Sequence, residues 1–203
     1  MKKNVYFVFI ALSFAFLAVA PGRLAYGIPL IVELNLLLAG AGAFNSLVRK
    51  LDLGGLEEIL SLACVFFLAT LFKQALVFYS PVIALSLSFL VYLPAASVFL
   101  LGSVFSKPAP TTAQNLSLSL KASAFAFFFF LVRDVLGYGA ISLPAPGGIA
   151  EAFLFDSYKT SFLSFFATIP GALLLLVLCM AVLLTAQSRM NVFEKSGAVD
   201  DNN

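Results

Sequence analysis

A chemically active site needs reactive side chains in register, and this 203-residue sequence holds few of them. It has no histidine and no tryptophan, and its two cysteines, Cys64 and Cys179, lie alone in separate apolar segments. A metal ion wants clustered Cys, His or carboxylate ligands, and a nucleophile wants a base beside it; neither spacing is present. The two cysteines read as small apolar fillers in helices. What remains is a handful of polar groups set in apolar sequence: Glu33 and Asn35, Lys73, and the adjacent Arg133 and Asp134. Charge at membrane depth is expensive, so such residues face a cavity or a partner. Glu33 is the best single candidate for contact with an ion or a proton. If its helix begins near Ile31, Glu33 is instead an interfacial carboxylate favoured by the helix macrodipole. Lys73 is expected to reach the headgroup layer through its long stem.

The elements that must position these groups are membrane spans. Hydrophobic residues make up 62% of the chain, charged residues 11%, and mean hydropathy is +1.04. No soluble globule of this size buries that much apolar side chain. The expected fold is an all-α, polytopic membrane protein of about six transmembrane helices. Its single membrane domain covers residues 1–190, and a polar tail covers 191–203. The spans fall at about 4–20, 27–48, 56–73, 79–105, 116–132 and 162–184, each near or above the length a bilayer requires. The first ends in Ala18-Val19-Ala20, the small-x-small pattern of a signal peptide. Pro21 directly after that point is unfavourable to cleavage, so the segment is expected to stay as a span.

The fourth apolar stretch contains Pro81 and Pro94, and Pro94 in mid-span predicts a kinked or interrupted helix. Such breaks are tolerated only against protein or water. Residues 137–159, with Gly137, Gly139, Pro144, Pro146, Gly147 and Gly148, read as an ordered non-helical loop with a short amphipathic piece around Glu151 to Asp156. Pro170 and Gly171 fall inside the last span. The alternation Ala39-Gly40-Ala41-Gly42-Ala43 offers a surface for close helix packing. Glu57 and Glu58 open the third span as ordinary dipole complements.

Six spans place both termini on one side. Lys2, Lys3, Arg49, Lys50, Lys107, Lys121, Arg189 and Lys195 lie on that side, against Arg23, Arg133 and Lys159 on the other. By the positive-inside rule the termini are cytoplasmic. A net charge of +2 is too small to imply a nucleic-acid partner.

Two stretches carry a family resemblance. LVRDVLGYG over Leu131 to Gly139, followed by TSFLSFFATIPGALLLLVLCMA over Thr160 to Ala181, resembles the C-terminal third of the six-helix membrane subunits of Rnf and Nqr electron-transport complexes, the D/E type especially. In those subunits a fifth helix ends in an Arg-acid pair with a following Gly-x-Gly, matched by Arg133, Asp134, Gly137 and Gly139. The last helix begins with an apolar stretch containing a Pro-Gly-Ala step, matched by Pro170, Gly171 and Ala172. Span number and order fit along the whole chain, whereas residue matches concentrate in the final third.

The resemblance implies a bacterial inner-membrane location and broken helices in an inverted-repeat arrangement. It also implies a homologous membrane subunit and other subunits as partners. It departs from the family at one informative place. Where redox-active members supply the cysteines of a shared iron–sulfur cluster, this chain has Phe14 and Val98 or their immediate neighbours, and no cysteine nearby. Thiolate holds such iron, so this chain is expected to bind no cofactor directly, with iron–sulfur and flavin groups belonging to partner subunits. No catalytic residue is assigned; the chain is at most a non-catalytic subunit of a redox-driven ion-translocating complex, in a structural or ion-path role. The alternative is an independent small transporter or permease component, with the broken helices lining a substrate site at the midplane.

Overall fold

A computed structural model of the protein describes residues 18–50, 56–96, 112–154, 163–182 and 185. Phe14 and Val98, most of the first expected span, the end of the fourth and the polar tail lie outside the described residues.

Two long helices form the first layer. α1 spans Leu24–Lys50 and α2 spans Leu56–Tyr79. Both contain a stretch long and apolar enough to cross a membrane, Leu24–Val48 and Ile59–Tyr79. They run antiparallel, and two contacts set their register. A Cβ on Gly40 would lie 2.4 Å from Leu68 Cδ1, so the Leu68 side chain seats against the glycine and would have to shift for any larger residue. One and a half turns further on, the Ser61 hydroxyl hydrogen-bonds Asn45 Oδ1. The α2 helix continues past Lys73, its expected end. Lys73 Nζ does not simply reach outward; it lies 5.1 Å from the centroid of the Tyr92 ring.

At Ser80 the chain turns into α3, Pro81–Leu87, with Pro81 in the first turn where its missing N–H removes no helical bond. The expected break in the fourth span occurs upstream of Pro94. Ser88 adopts φ 42°, in the left-handed region, and the chain tightens into a 3-10 turn over Ser88–Tyr92. Pro94 is buried in the turns that follow rather than kinking a continuous helix.

α4 spans Thr112–Tyr138 and is longer than expected. The Arg-acid pair does not terminate it. Both side chains find partners outside the helix, and the stop comes at Gly139, whose φ of 64° and N–H bond to Val135 O form a left-handed C-terminal cap. Gly137 is therefore helical. The structure is mostly helical as expected, but not all-α, because the supposed loop is a β-hairpin. β1 (Ala140–Ala145) pairs antiparallel with β2 (Gly148–Phe153) across a two-residue Pro146-Gly147 turn, from Ala140 opposite Phe153 to Ala145 opposite Gly148. Glu151 lies on β2, not on an amphipathic helical piece. Pro144 fits because a two-stranded ribbon consists only of edges.

A 3-10 turn over Leu163–Ala167 leads into α5, Ile169–Val182. Pro170 sits in the first turn of α5 instead of mid-span. Thr168 accepts a bond from Gly171 N at 3.4 Å as the N-cap. A Cβ on Gly171 would fall 2.1 Å from Phe165 O, so the entry into α5 needs glycine there.

The described residues thus form five α-helices and one hairpin. The hairpin caps the end of the bundle where α1 begins and α2 and α4 finish. Phe129, Phe130, Leu24, Ile83 and Leu87 are buried at its centre. Outward faces carry large apolar side chains, including Phe67, Phe78, Leu85, Phe128 and Val177, with Phe78 91% exposed.

Packing between α1 and α4 makes a direct prediction. A Cβ on Gly27 would lie 2.3 Å from the Phe130 ring. Gly27→Ala should therefore destabilise the protein by about 1–3 kcal/mol through overpacking, against the roughly 1 kcal/mol it gains in helix propensity. Gly147→Ala, where a Cβ meets nothing within 4 Å, should leave stability unchanged. Denaturation midpoints of the two variants in mild detergent check this.

Candidate functional site

The polar groups gather in three places. The first is the end of α4. The N–H groups that open α1 lack partners in their own helix, as at every helix start. Here they are capped from a distance. Asp134 Oδ2 accepts from Leu24 N at 3.1 Å, from Ser142 N at 2.7 Å and from Ser142 Oγ at 2.6 Å. Ser142 Oγ in turn accepts from Ala25 N at 3.1 Å. A carboxylate at a helix N-terminus also meets the positive end of the macrodipole. One buried side chain therefore joins α4, β1 and the start of α1.

Arg133 faces the other way, as adjacent residues on a helix diverge. Its Nη1 donates to Ala20 O at 2.7 Å, Nε to Phe166 O at 3.2 Å, and Nη2 to Ala167 O and Thr168 O at 3.2 and 3.4 Å. The planar guanidinium reaches carbonyls from two chain segments at once, which a lysine ammonium does not reproduce. Glycines leave room for this joint: a Cβ on Gly137 would lie 2.9 Å from Ala167 N, and one on Gly22 would lie 3.1 Å from both Arg133 Nε and Ala167 O. Closer to the surface, Arg23 forms an ion pair with Glu151 and lies 4.6 Å from the centroid of the Tyr138 ring. Tyr79 OH donates to Pro144 O at 3.4 Å, tying α2 to the same hairpin.

The second place is mid-helix between α1 and α4. Asn35 Nδ2 donates to Ile31 O at 2.8 Å and to Ser123 Oγ at 2.7 Å, while Asn35 Oδ1 accepts from Ser119 Oγ at 2.6 Å. The amide is satisfied on both sides. Sequence reading singled out Asn35 but not its partners; the four-residue spacing of Ser119 and Ser123 was the available signal.

The third is Glu33. The helix begins at Leu24, so the interfacial placement at a helix N-terminus does not hold. The side chain is 0% exposed, and neither Oε1 nor Oε2 has a hydrogen-bond partner among the described residues. Cys64 and Cys179 are free thiols on α2 and α5. Ser142, Ala20 and the Phe166–Thr168 carbonyls were not identified from sequence, since nothing local marks a serine or a carbonyl as a distant partner.

The joint at Asp134 predicts a graded response. Asp134→Ala removes the shared acceptor of three buried donors and should cost at least about 3 kcal/mol, given roughly 1–3 kcal/mol per stranded buried group. Asp134→Asn keeps one carbonyl oxygen of the same shape and should lose less than half as much. Unfolding by denaturant in detergent checks the ranking; equal losses would show that the acceptor oxygen is unimportant. Compared with known proteins, the chain matches no protein family, no curated protein and no solved structure.

Proposed function

We propose that this chain is a multi-pass subunit of a bacterial cytoplasmic membrane, built on a six-span frame with cytoplasmic termini. In this reading it serves an ion-translocating complex similar to Rnf and Nqr, as a scaffold and ion-path subunit that does not itself hold iron. One observation carries the proposal. The two stretches bearing the resemblance, separated by more than a hairpin in sequence, dock on each other. Arg133 bonds the Phe166, Ala167 and Thr168 carbonyls, and Gly137 packs against Ala167 directly ahead of the Pro170-Gly171 step. Motif residues matched as two separate elements thus form one joint, as expected if they belong to a common scaffold.

Two further observations support the bilayer setting. The outward faces of α2 and α5 carry many exposed large apolar side chains, among them Phe67, Phe78, Val177 and Val182, as a bilayer-facing surface would. An open two-stranded ribbon leaves backbone groups unpaired and is excluded from lipid-exposed hydrocarbon. The hairpin, with Arg23 and Glu151, accordingly lies at an aqueous end of the bundle. That end is opposite the lysine-rich side and therefore external. The expected partner is a homologous membrane subunit, with iron–sulfur and flavin groups on neighbouring chains.

A second reading, an independent small transporter, is favoured by the buried carboxyl of Glu33 and the discontinuity at Ser88. Purification of the tagged chain from its native membrane in mild detergent separates the two readings. Mass spectrometry identifies co-purifying chains, and iron and flavin are assayed in the same sample. Recovery with flavin-bearing and iron–sulfur chains is the expected outcome. Recovery alone or as a homo-oligomer without iron would replace the complex reading with the transporter.

A further inference from the structure

Glu33 and Asn35 lie two residues apart on α1, about 200° around the helix, and so face different neighbours. Asn35 meets the Ser119 and Ser123 hydroxyls of α4. Glu33 is seven residues before Gly40, two turns along the stripe that packs on Leu68 of α2. The antiparallel register set by Gly40 and Leu68, and by Asn45 and Ser61, places Glu33 at the level of Phe72 to Leu76. Its neighbours on the stripe belong to two separate apolar clusters. Leu30 belongs to the one containing Ile83, Leu87 and Val91, and Leu37 to the one containing Val65, Ala69 and Ala95. Glu33, one turn from each, is therefore buried at the level where the two clusters meet.

Among the described residues no group at this level forms an ion pair with Glu33. Of the charged and titratable residues on the elements packed against α1, Arg133, Asp134 and Tyr138 of α4 gather at the Leu24 end. Arg23 is paired with Glu151 there, and Tyr79 bonds the hairpin. Glu57 opens α2 near the opposite end, and Cys64 lies on the same half of α2. Lys73 on α2 is nearest in level, but its ammonium is placed over Tyr92 of the 3-10 turn, with no ion pair to Glu33. An ionised carboxylate without partner or water is untenable in such surroundings. A structural role would require a hydrogen bond, and Glu33 has none among the described residues. Irregular backbone at membrane depth, meanwhile, persists only where it is buried in protein or lines a hydrated space. The Ser88–Ala96 stretch contributes to both clusters, Leu90 and Val91 to the one that holds Leu30 and Ala95 to the one that holds Leu37.

We propose that Glu33 is a reversible proton-binding site, which takes its proton from the aqueous phase and returns it there along the seam between α2 and the Ser88–Ala96 stretch. The inference rests on the bilayer setting proposed above and not on membership of any complex.

The test uses N,N′-dicyclohexylcarbodiimide, an apolar reagent that adds to protonated carboxyl groups. The full chain is reconstituted in phosphatidylcholine vesicles and washed in alkaline carbonate, so that retention reports membrane integration separately. It is then labelled across a pH series, in sodium chloride or choline chloride, and the adducts are mapped by peptide mass spectrometry. The expected result is an adduct on Glu33 whose rate falls roughly tenfold for each pH unit above its midpoint, equally in both salts. Glu33→Gln should keep the wild-type denaturation midpoint and lose this adduct, while Glu33→Asp should restore it with a displaced midpoint. No adduct at any pH, or labelling that does not respond to pH, would overturn the proposal. Protection by sodium at constant pH would also overturn it, by showing that a metal cation occupies the site.

Discussion

The start of α1 is buried, and that constraint organises the described structure. Its first residues, Leu24 and Ala25, are buried, and leaving their N–H groups bare in an apolar interior is strongly unfavourable. Asp134 and Ser142 satisfy them from α4 and β1. This single arrangement fixes where α4 ends relative to α1, and it makes the hairpin part of the core's closure instead of a loose connection. Next to it, Arg133 binds the chain before α1 to the chain before α5. A delocalised cation with several donors suits a place where backbone carbonyls from two segments converge. Neighbouring residues of opposite charge thus serve opposite backbone polarities, N–H groups for Asp134 and carbonyls for Arg133.

Away from that joint, glycines make room for what packs against them. Gly27 admits the Phe130 ring, Gly40 admits Leu68, and Gly171 leaves room for the Phe165 carbonyl. This is the packing expected where lipid and protein interior are equally apolar, so that association depends on dispersion contacts and interhelical polar bonds. The Asn35, Ser119 and Ser123 bonds supply such a polar contact between α1 and α4. Single atoms of Ser80 and Asp134 are also unpartnered among the described residues, but Glu33 alone of these carboxyls lacks a partner on both oxygens. The same helix treats two polar residues in opposite ways because they project toward different neighbours.

Apolar content and the length of uncharged runs were enough to establish long helices with small residues along their contact faces, and to single out Glu33, Arg133 and Asp134 as groups needing partners. Those properties are local: a run of apolar side chains specifies helix and solvent without knowing its neighbours. The hairpin was not legible, because Pro144 and the run of glycines read as turn chemistry even though Ala140–Ala145 and Gly148–Phe153 can pair. Nor was the continuation of α4 through Arg133 and Asp134, since charges end a span only when nothing satisfies them. Which carbonyls Arg133 would bind, that Asp134 would cap a helix 110 residues away, and that Glu33 would face α2 while Asn35 faced α4 were decided by tertiary structure. Each depends on the angle and register at which one helix meets another, and side-chain periodicity along a helix that is apolar nearly all round carries no such information.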